Sequence, residues 1–287
     1  MSFTDKPLGD ERMQKAYAAA GDILRRVMEK ERPDDARLLD DNSRDDVVIV
    51  KGRYDRVQDV FGILKVPYRL VETSEVPRLR LRPEQLLIIN CPGQLERDGV
   101  LKVREFVEAG GSLFTTDWAL KYVLEPAFPG IVGYTNRPTG DDVVRLDGVN
   151  HDNPFLEDVL RAGDDPQWWL EGSSYPIRIV APERVKVLIS SKELQQKYGE
   201  SPVAILFHHG AGEVFHMISH YYLQRTELRT ERHQAPAVAF AMARGLDPAA
   251  MPAAPLQGVS LGEAEAAYSS ARFLTNILVE KRRKSKG

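Results

Sequence analysis

Leu86-Leu-Ile-Ile-Asn-Cys-Pro-Gly93 and, one helical stretch later, Gly110-Gly-Ser-Leu-Phe-Thr-Thr-Asp117 decide the fold of this chain. Each is a short apolar run without polar alternation that ends in turn-forming residues, the mark of a strand buried on both faces. Between them, Leu95 to Ala109 places Val100, Val103, Phe106 and Val107 on one face of a helix, and Gly110-Gly111 stops it. Upstream the pattern repeats. Asp46-Val-Val-Ile-Val-Lys51 reads as a first strand, Val57, Val60, Phe61 and Leu64 recur at helical spacing, and Tyr68-Arg-Leu-Val71 reads as a second strand. Strands alternating with helices across short connections predict an α/β protein with a mostly parallel sheet and helices on both faces, a flavodoxin-like three-layer sandwich.

Downstream the pattern loosens. Gly130 to Tyr134, Asp142 to Leu146, Tyr175 to Val180 and Val185 to Ile189 are strand-like, and His151-Asp-Asn-Pro-Phe-Leu156 is expected to open a helix capped by Asp152 or Asn153. Pro202 to Phe207 and Glu213 to Ile218 form a pair around a glycine turn. Helical extensions are expected at both termini. In residues 11–31, Met13, Tyr17, Ala20, Leu24 and Val27 form a stripe; in 261–282, Leu261, Ala264, Ala267, Ala271 and Leu274 do the same. A helix is also expected over 231–245. The division that follows is a helical extension and linker (1–45), an α/β domain (46–246), and a linker with a C-terminal helix and basic tail (247–287).

With a formal net charge of −3 over 287 residues, no global field favours nucleic acid. The basic run Lys281 to Lys286 is read as a solvated helix end. A single cysteine, Cys91, excludes an intramolecular disulfide and fits a reducing compartment. The opening residues lack a signal-peptide pattern, and no stretch reaches the roughly 20 apolar residues of a membrane span. A cytoplasmic location is expected.

The block from Asp46 to Leu124 resembles the front half of the class I glutamine amidotransferase-like superfamily. The resemblance rests on Val47-Val-Ile-Val50, the loop Asn90-Cys-Pro-Gly93, the helix end Phe106 to Gly111 and the strand Ser112 to Asp117. The later turn and strand Gly212-Glu-Val-Phe-His-Met-Ile-Ser-His220 is similar to one in trehalose-utilisation-type and intraflagellar-transport-type members. Working enzymes of that superfamily carry a nucleophilic cysteine on a sharp turn after the fourth strand. Here that turn reads Thr116-Asp117-Trp118-Ala119, so the resemblance implies the fold without the amidotransferase chemistry.

A candidate pocket therefore gathers Asn90, Cys91, Gly93, Asp117, Trp118 and His220 at the edge of the sheet where open α/β folds bind ligands. Cys91 is expected to serve as a small buried apolar group. Lys51 and Arg53, flanking Gly52 at the start of the first helix, form a candidate anion site, although neither a P-loop nor a dinucleotide spacing is present. His208, His209, His216 and His220 cluster, but His216 and His220, about 13 Å apart along an extended strand, are too far apart to clamp one ion; no metal and no cofactor is expected. Trp168-Trp169 is read as core or lid, with an exposed partner anchor as the alternative. The favoured function is a non-catalytic amidotransferase-like protein for binding or assembly, acting through a protein partner or a homo-oligomer, with room for a small ligand. The alternative is a hydrolase or isomerase using Asp117 and His220, with or without a metal.

Overall fold

The structure is a computed structural model and describes residues 11–149, 153–251 and 253–286. The first four strands are β1 (Val47–Val50), β2 (Arg69–Val71), β3 (Leu86–Ile89) and β4 (Ser112–Thr116). β1, β3 and β4 are buried at every position, which is why their sequences show no polar alternation. The middle of the chain contributes β5 (Val132–Tyr134), β6 (Asp142–Arg145), β7 (Gly148–Val149), β8 (Gln167–Leu170) and β9 (Ile177–Ile179). β10 (Val185–Ser190), β11 (Pro202–His209) and β12 (Gly212–Met217) complete the set.

The main sheet has the order β2-β1-β3-β4-β12-β11-β10-β7. From β2 through β12 every neighbouring pair is parallel, and β11, β10 and β7 add an antiparallel margin. β5 pairs with β9, and β6 with β8, as two separate antiparallel ribbons. The winding reverses between β1 and β3, so their C-terminal ends flank a crevice that no connection fills. In open α/β sheets such a switch point is where ligands sit.

The covering helices include α1 (Glu11–Glu31), α2 (Pro33–Asp40), α3 (Val57–Leu64) and α4 (Arg97–Glu108). A long C-terminal helix, Leu261–Lys286, lies beside α1 and runs parallel to it: Arg12 pairs with Glu263 at 3.0 Å, and Tyr17 shares a hydrogen bond with Ser270 at 2.8 Å. Every described side chain from Val259 to Val279 is buried, so this helix is covered on all sides rather than along one stripe. Its polar residues are accordingly bonded within the fold. Ser269 accepts from Trp168 Nε1 (2.9 Å), and Asn276 Nδ2 donates to the carbonyls of Phe155 and Glu157.

Three expectations change, and one alternative falls. The basic tail is not simply solvated: Lys281 is buried and donates to the Gly110 carbonyl, and Lys284 pairs with the buried Glu213 at 2.7 Å. Trp168 and Trp169 lie within β8, both buried, which rules out an exposed anchor. The helix over 231–245 is broken into Glu231–Gln234 and Ala237–Ala243, because Pro236 pushes Ala235 into an extended conformation. Asn153 caps only a single short turn, Pro154–Leu156, whereas His151 and Asp152 lie outside the described residues. Among the described residues no helix is long and apolar enough to cross a membrane.

Candidate functional site

β1, β3, β4 and β12 all end at the same edge of the sheet, and each delivers a polar side chain there. β4 runs into Asp117, whose φ of 41° puts a non-glycine residue in the left-handed region at the very turn where the resemblance expects a nucleophile. Its N–H donates to the Met217 carbonyl at 2.9 Å, fixing the turn against the end of β12. The carboxylate is held from above. Tyr175 N–H donates to Oδ1 at 2.7 Å, and Ser174 Oγ donates to Oδ2 at 3.1 Å.

β3 runs into Asn90 and Cys91. Asn90 turns away from Asp117 and ties the loop to α3, accepting from Val57 N–H and donating to Gln58 Oε1 at 3.1 Å. Cys91 N–H donates to Thr116 Oγ1 at 3.0 Å, which brings its Sγ to 3.8 Å from Asp117 Oδ2. Cys91 is buried as expected, and its thiol also touches the Asp117 carboxylate at the edge of a polar centre. Gly93 has φ 64°, and a Cβ there would lie 2.9 Å from that of Ala119, so only glycine lets this loop close on the turn after β4.

β12 ends at Met217, and the chain bends so that the buried His220 returns over the edge. Its Nε2 lies 3.1 Å from Asp117 Oδ2 and its Nδ1 lies 3.2 Å from Glu171 Oε2. Neither ring nitrogen is aligned for a hydrogen bond to these oxygens, so both contacts are electrostatic. His216 takes no part. It is a core residue bonded to Thr115 Oγ1 at 2.8 Å, and burial pushes its pKa down to about 3.

Burial and the neighbouring charges set the protonation of the centre. Burial works against a charge on His220, but Asp117 and Cys91 override it and hold its pKa well above the ordinary value. Burial pushes the Cys91 thiol up to about 11, despite the opposing pull of His220. Asp55, buried just beyond β1, is likewise raised by burial to about 6, with His220 pulling the other way. Glu171 is raised by burial, again against His220. At neutral pH the Cys91 thiol is thus un-ionised, a poor arrangement for thiolate attack.

The lid was not legible in the sequence. Residues 171–175, between β8 and β9, form a strap over Asp117 and His220, and Thr139 fastens it. Thr139 Oγ1 donates to the Glu171 carbonyl (3.0 Å) and accepts from Ser174 N–H (3.1 Å). The Thr139 backbone adds two further bonds, to Ser173 and Ser174. Trp118, at the outer side of the strap, donates from Nε1 to the Ser173 carbonyl (2.7 Å) and stacks on Tyr175, which stacks in turn on Tyr134. Glu171, Ser174 and Asp55 are the residues that sequence reasoning missed; no spacing or motif links them to Asp117.

Beside this buried centre, at the β1/β3 switch point, lies an open cleft of about 410 Å³. Lys51, Arg53, Tyr54, Glu72, Pro92 and Trp118 line it, which brings the candidate anion residues next to the candidate pocket. Gly52 makes the approach close, since a Cβ there would sit 2.4 Å from the Cys91 carbonyl. Lys51 pairs loosely with Glu72 at 3.4 Å, and the exposed Arg53 side chain has no protein partner among the described residues.

No protein-family model and no curated protein matches the chain. Among solved structures it is similar to a GMP synthase subunit protein from Thermoplasma acidophilum, at 10% identity and a TM-score of 0.46, covering 65% of this chain and 88% of that one. It is also similar to a ThuA-like protein from Bacteroides uniformis, at 14% identity and a TM-score of 0.44, covering 62% and 83%. A third likeness is to an exo-beta-1,4-mannosidase from an Opitutaceae bacterium, at 11% identity and a TM-score of 0.42, where 61% of this chain spans only 31% of the enzyme. None of these likenesses carries a function to this chain.

Proposed function

We propose that this chain is a binding protein on an amidotransferase-like sheet, and that its switch-point cleft takes a small anionic ligand bearing a ring. The observation that carries this reading is the unpaired Arg53 beside Lys51, facing Trp118 across a crevice at the C-terminal ends of β1 and β3. Guanidinium and ammonium groups supply an anion contact, and the faces of Trp118 and Tyr54 supply stacking. Amidotransferase chemistry is disfavoured because the turn after β4 bears a carboxylate whose two oxygens are both engaged. Assembly through the terminal helices is disfavoured too, because their apolar faces are already covered within the chain.

Phenyl phosphate, which combines both features, is the first probe. Titration followed by tryptophan fluorescence should show saturable binding, weakened about tenfold or more by Arg53→Ala, in keeping with the loss of one charge-assisted contact of about 1.5–3 kcal/mol. Equal affinity in wild type and Arg53→Ala would refute the cleft.

A hydrolase or isomerase is the second reading, favoured by one observation: Asp117 sits on a left-handed turn in contact with His220. It requires the strap to open, since Asp117 and His220 are each about 1% exposed.

A further inference from the structure

We propose that Cys91, Asp117 and His220 together form a binding site for a divalent transition metal of the zinc class. One ligand atom from each of these buried residues lies within 4.8 Å of the other two, on loops that follow three different strands. In a tetrahedral zinc site, bonds of about 2.3 Å to sulfur and about 2.0 Å to nitrogen and oxygen separate sulfur from oxygen by about 3.5 Å and nitrogen from oxygen by about 3.3 Å. The observed separations are 3.8 Å from Cys91 Sγ to Asp117 Oδ2 and 3.1 Å from His220 Nε2 to the same oxygen. The third separation, from Cys91 to His220, is at most 4.8 Å, so this pair must draw together for the three atoms to share one ion.

The histidine gives the independent sign. Its two ring nitrogens are buried, lie 3.1 and 3.2 Å from the carboxylates of Asp117 and Glu171, and are not aligned on those oxygens. Buried polar atoms are rarely left in that state without a partner to explain it. Ligands that converge on a shared ion behave this way, because each points at the ion and past its fellow ligands.

The surroundings fit as well. Asp117 is oriented by Ser174 and by the Tyr175 N–H, Cys91 by Thr116, and Glu171 stands at the far nitrogen of His220, the carboxylate–histidine–metal order that fixes a ligating imidazole. One sulfur, one nitrogen and one oxygen select zinc, cobalt or iron(II) over magnesium and calcium, which take oxygen ligands. On binding, the Cys91 thiol proton and the proton on His220 Nε2 both pass to solvent, so His220 coordinates as the neutral ring and the thiolate and the Asp117 carboxylate balance the two charges of the ion. Three protein ligands leave a fourth position for water or a ligand, the pattern of reactive rather than structural zinc. The proposal stands on the buried centre alone and does not need the anion cleft.

The test uses the full chain, stripped with chelator and titrated separately with Zn2+ and Co2+. About one equivalent of each should bind, and the cobalt form should show a thiolate-to-metal charge-transfer band. Cys91→Ala, Asp117→Asn and His220→Ala should each weaken binding at least a hundredfold, and Glu171→Gln about 10–100-fold. Circular dichroism identifies any variant that fails to fold, and the wild-type cobalt spectrum decides independently of every variant. A wild-type chain that takes up no zinc or cobalt, or a cobalt form without the thiolate band, overturns the proposal. Phenyl phosphate binding, measured on the stripped chain, reports on the cleft separately.

Discussion

Asp55 carries the clearest consequence at the scale of a single residue. It is fully buried, and one of its oxygens accepts from the Arg56 N–H at 2.6 Å. Its pKa, raised by burial to about 6 against an ordinary 3.8, means that the folded chain holds this proton more tightly than the unfolded one. The stability from this group is therefore fully present below about pH 4 and is lost as pH rises through about 6. Asp55→Asn, which keeps the acceptor and removes the charge, should unfold like wild type at pH 4. It should become more stable than wild type with rising pH, by at most about 3 kcal/mol above pH 6. Denaturant unfolding of both proteins from pH 4 to pH 7.5 measures this; parallel curves would show that Asp55 gives up its proton at the same pH in the folded chain as in the unfolded one.

At the scale of elements, the strap of residues 171–175 governs access to the centre. Thr139→Val keeps the side chain's shape and removes both Oγ1 bonds, leaving the buried Ser174 N–H only its bond to the Glu171 carbonyl. A loss of about 1–3 kcal/mol of local stability is expected. The one cysteine of the chain provides the readout: alkylation of Cys91 should be slow in wild type and accelerate about tenfold in the variant, following the population of the opened strap. An unchanged rate would mean that Cys91 is reached by another route.

The same scale separates what the sequence could tell from what it could not. β1, β3 and β4 were legible because strands covered on both faces leave unbroken apolar runs, and α1 and α4 because their stripes keep helical spacing. Asp117 and His220 could be placed at one edge because both follow strands of the parallel block. The strap could not, because Glu171 and Ser174 reach Asp117 and His220 only through the fold, in a loop whose composition is ordinary. Nor could the role of Cys91, since a thiol near a carboxylate and a thiol in a core look alike in one dimension. The C-terminal helix was read as one-sided because its buried serines, threonine and asparagine look polar until their partners are known.

For the whole molecule, the long C-terminal helix is a central element. It contacts α1, the β8 tryptophan and the ring of Phe114 in β4, through Phe273. Deleting residues 258–287 would expose the apolar faces of α1 and of the sheet together, far more than the few kcal/mol that separate folded from unfolded domains. The truncated chain should show no cooperative thermal transition and should collect in the insoluble fraction. A soluble, cooperatively unfolding product would show that the sheet supports itself.

The parallel pairing of α1 with that helix also bears on how the chain is made. The helix that lies beside α1 begins at Leu261 and so is synthesised long after α1, which begins at Glu11. At about 5–20 residues per second, the interval between them is on the order of 12–50 s. Throughout that time Tyr17 lacks Ser270, its hydrogen-bond partner in the late helix, and the face of α1 that the helix covers stays open.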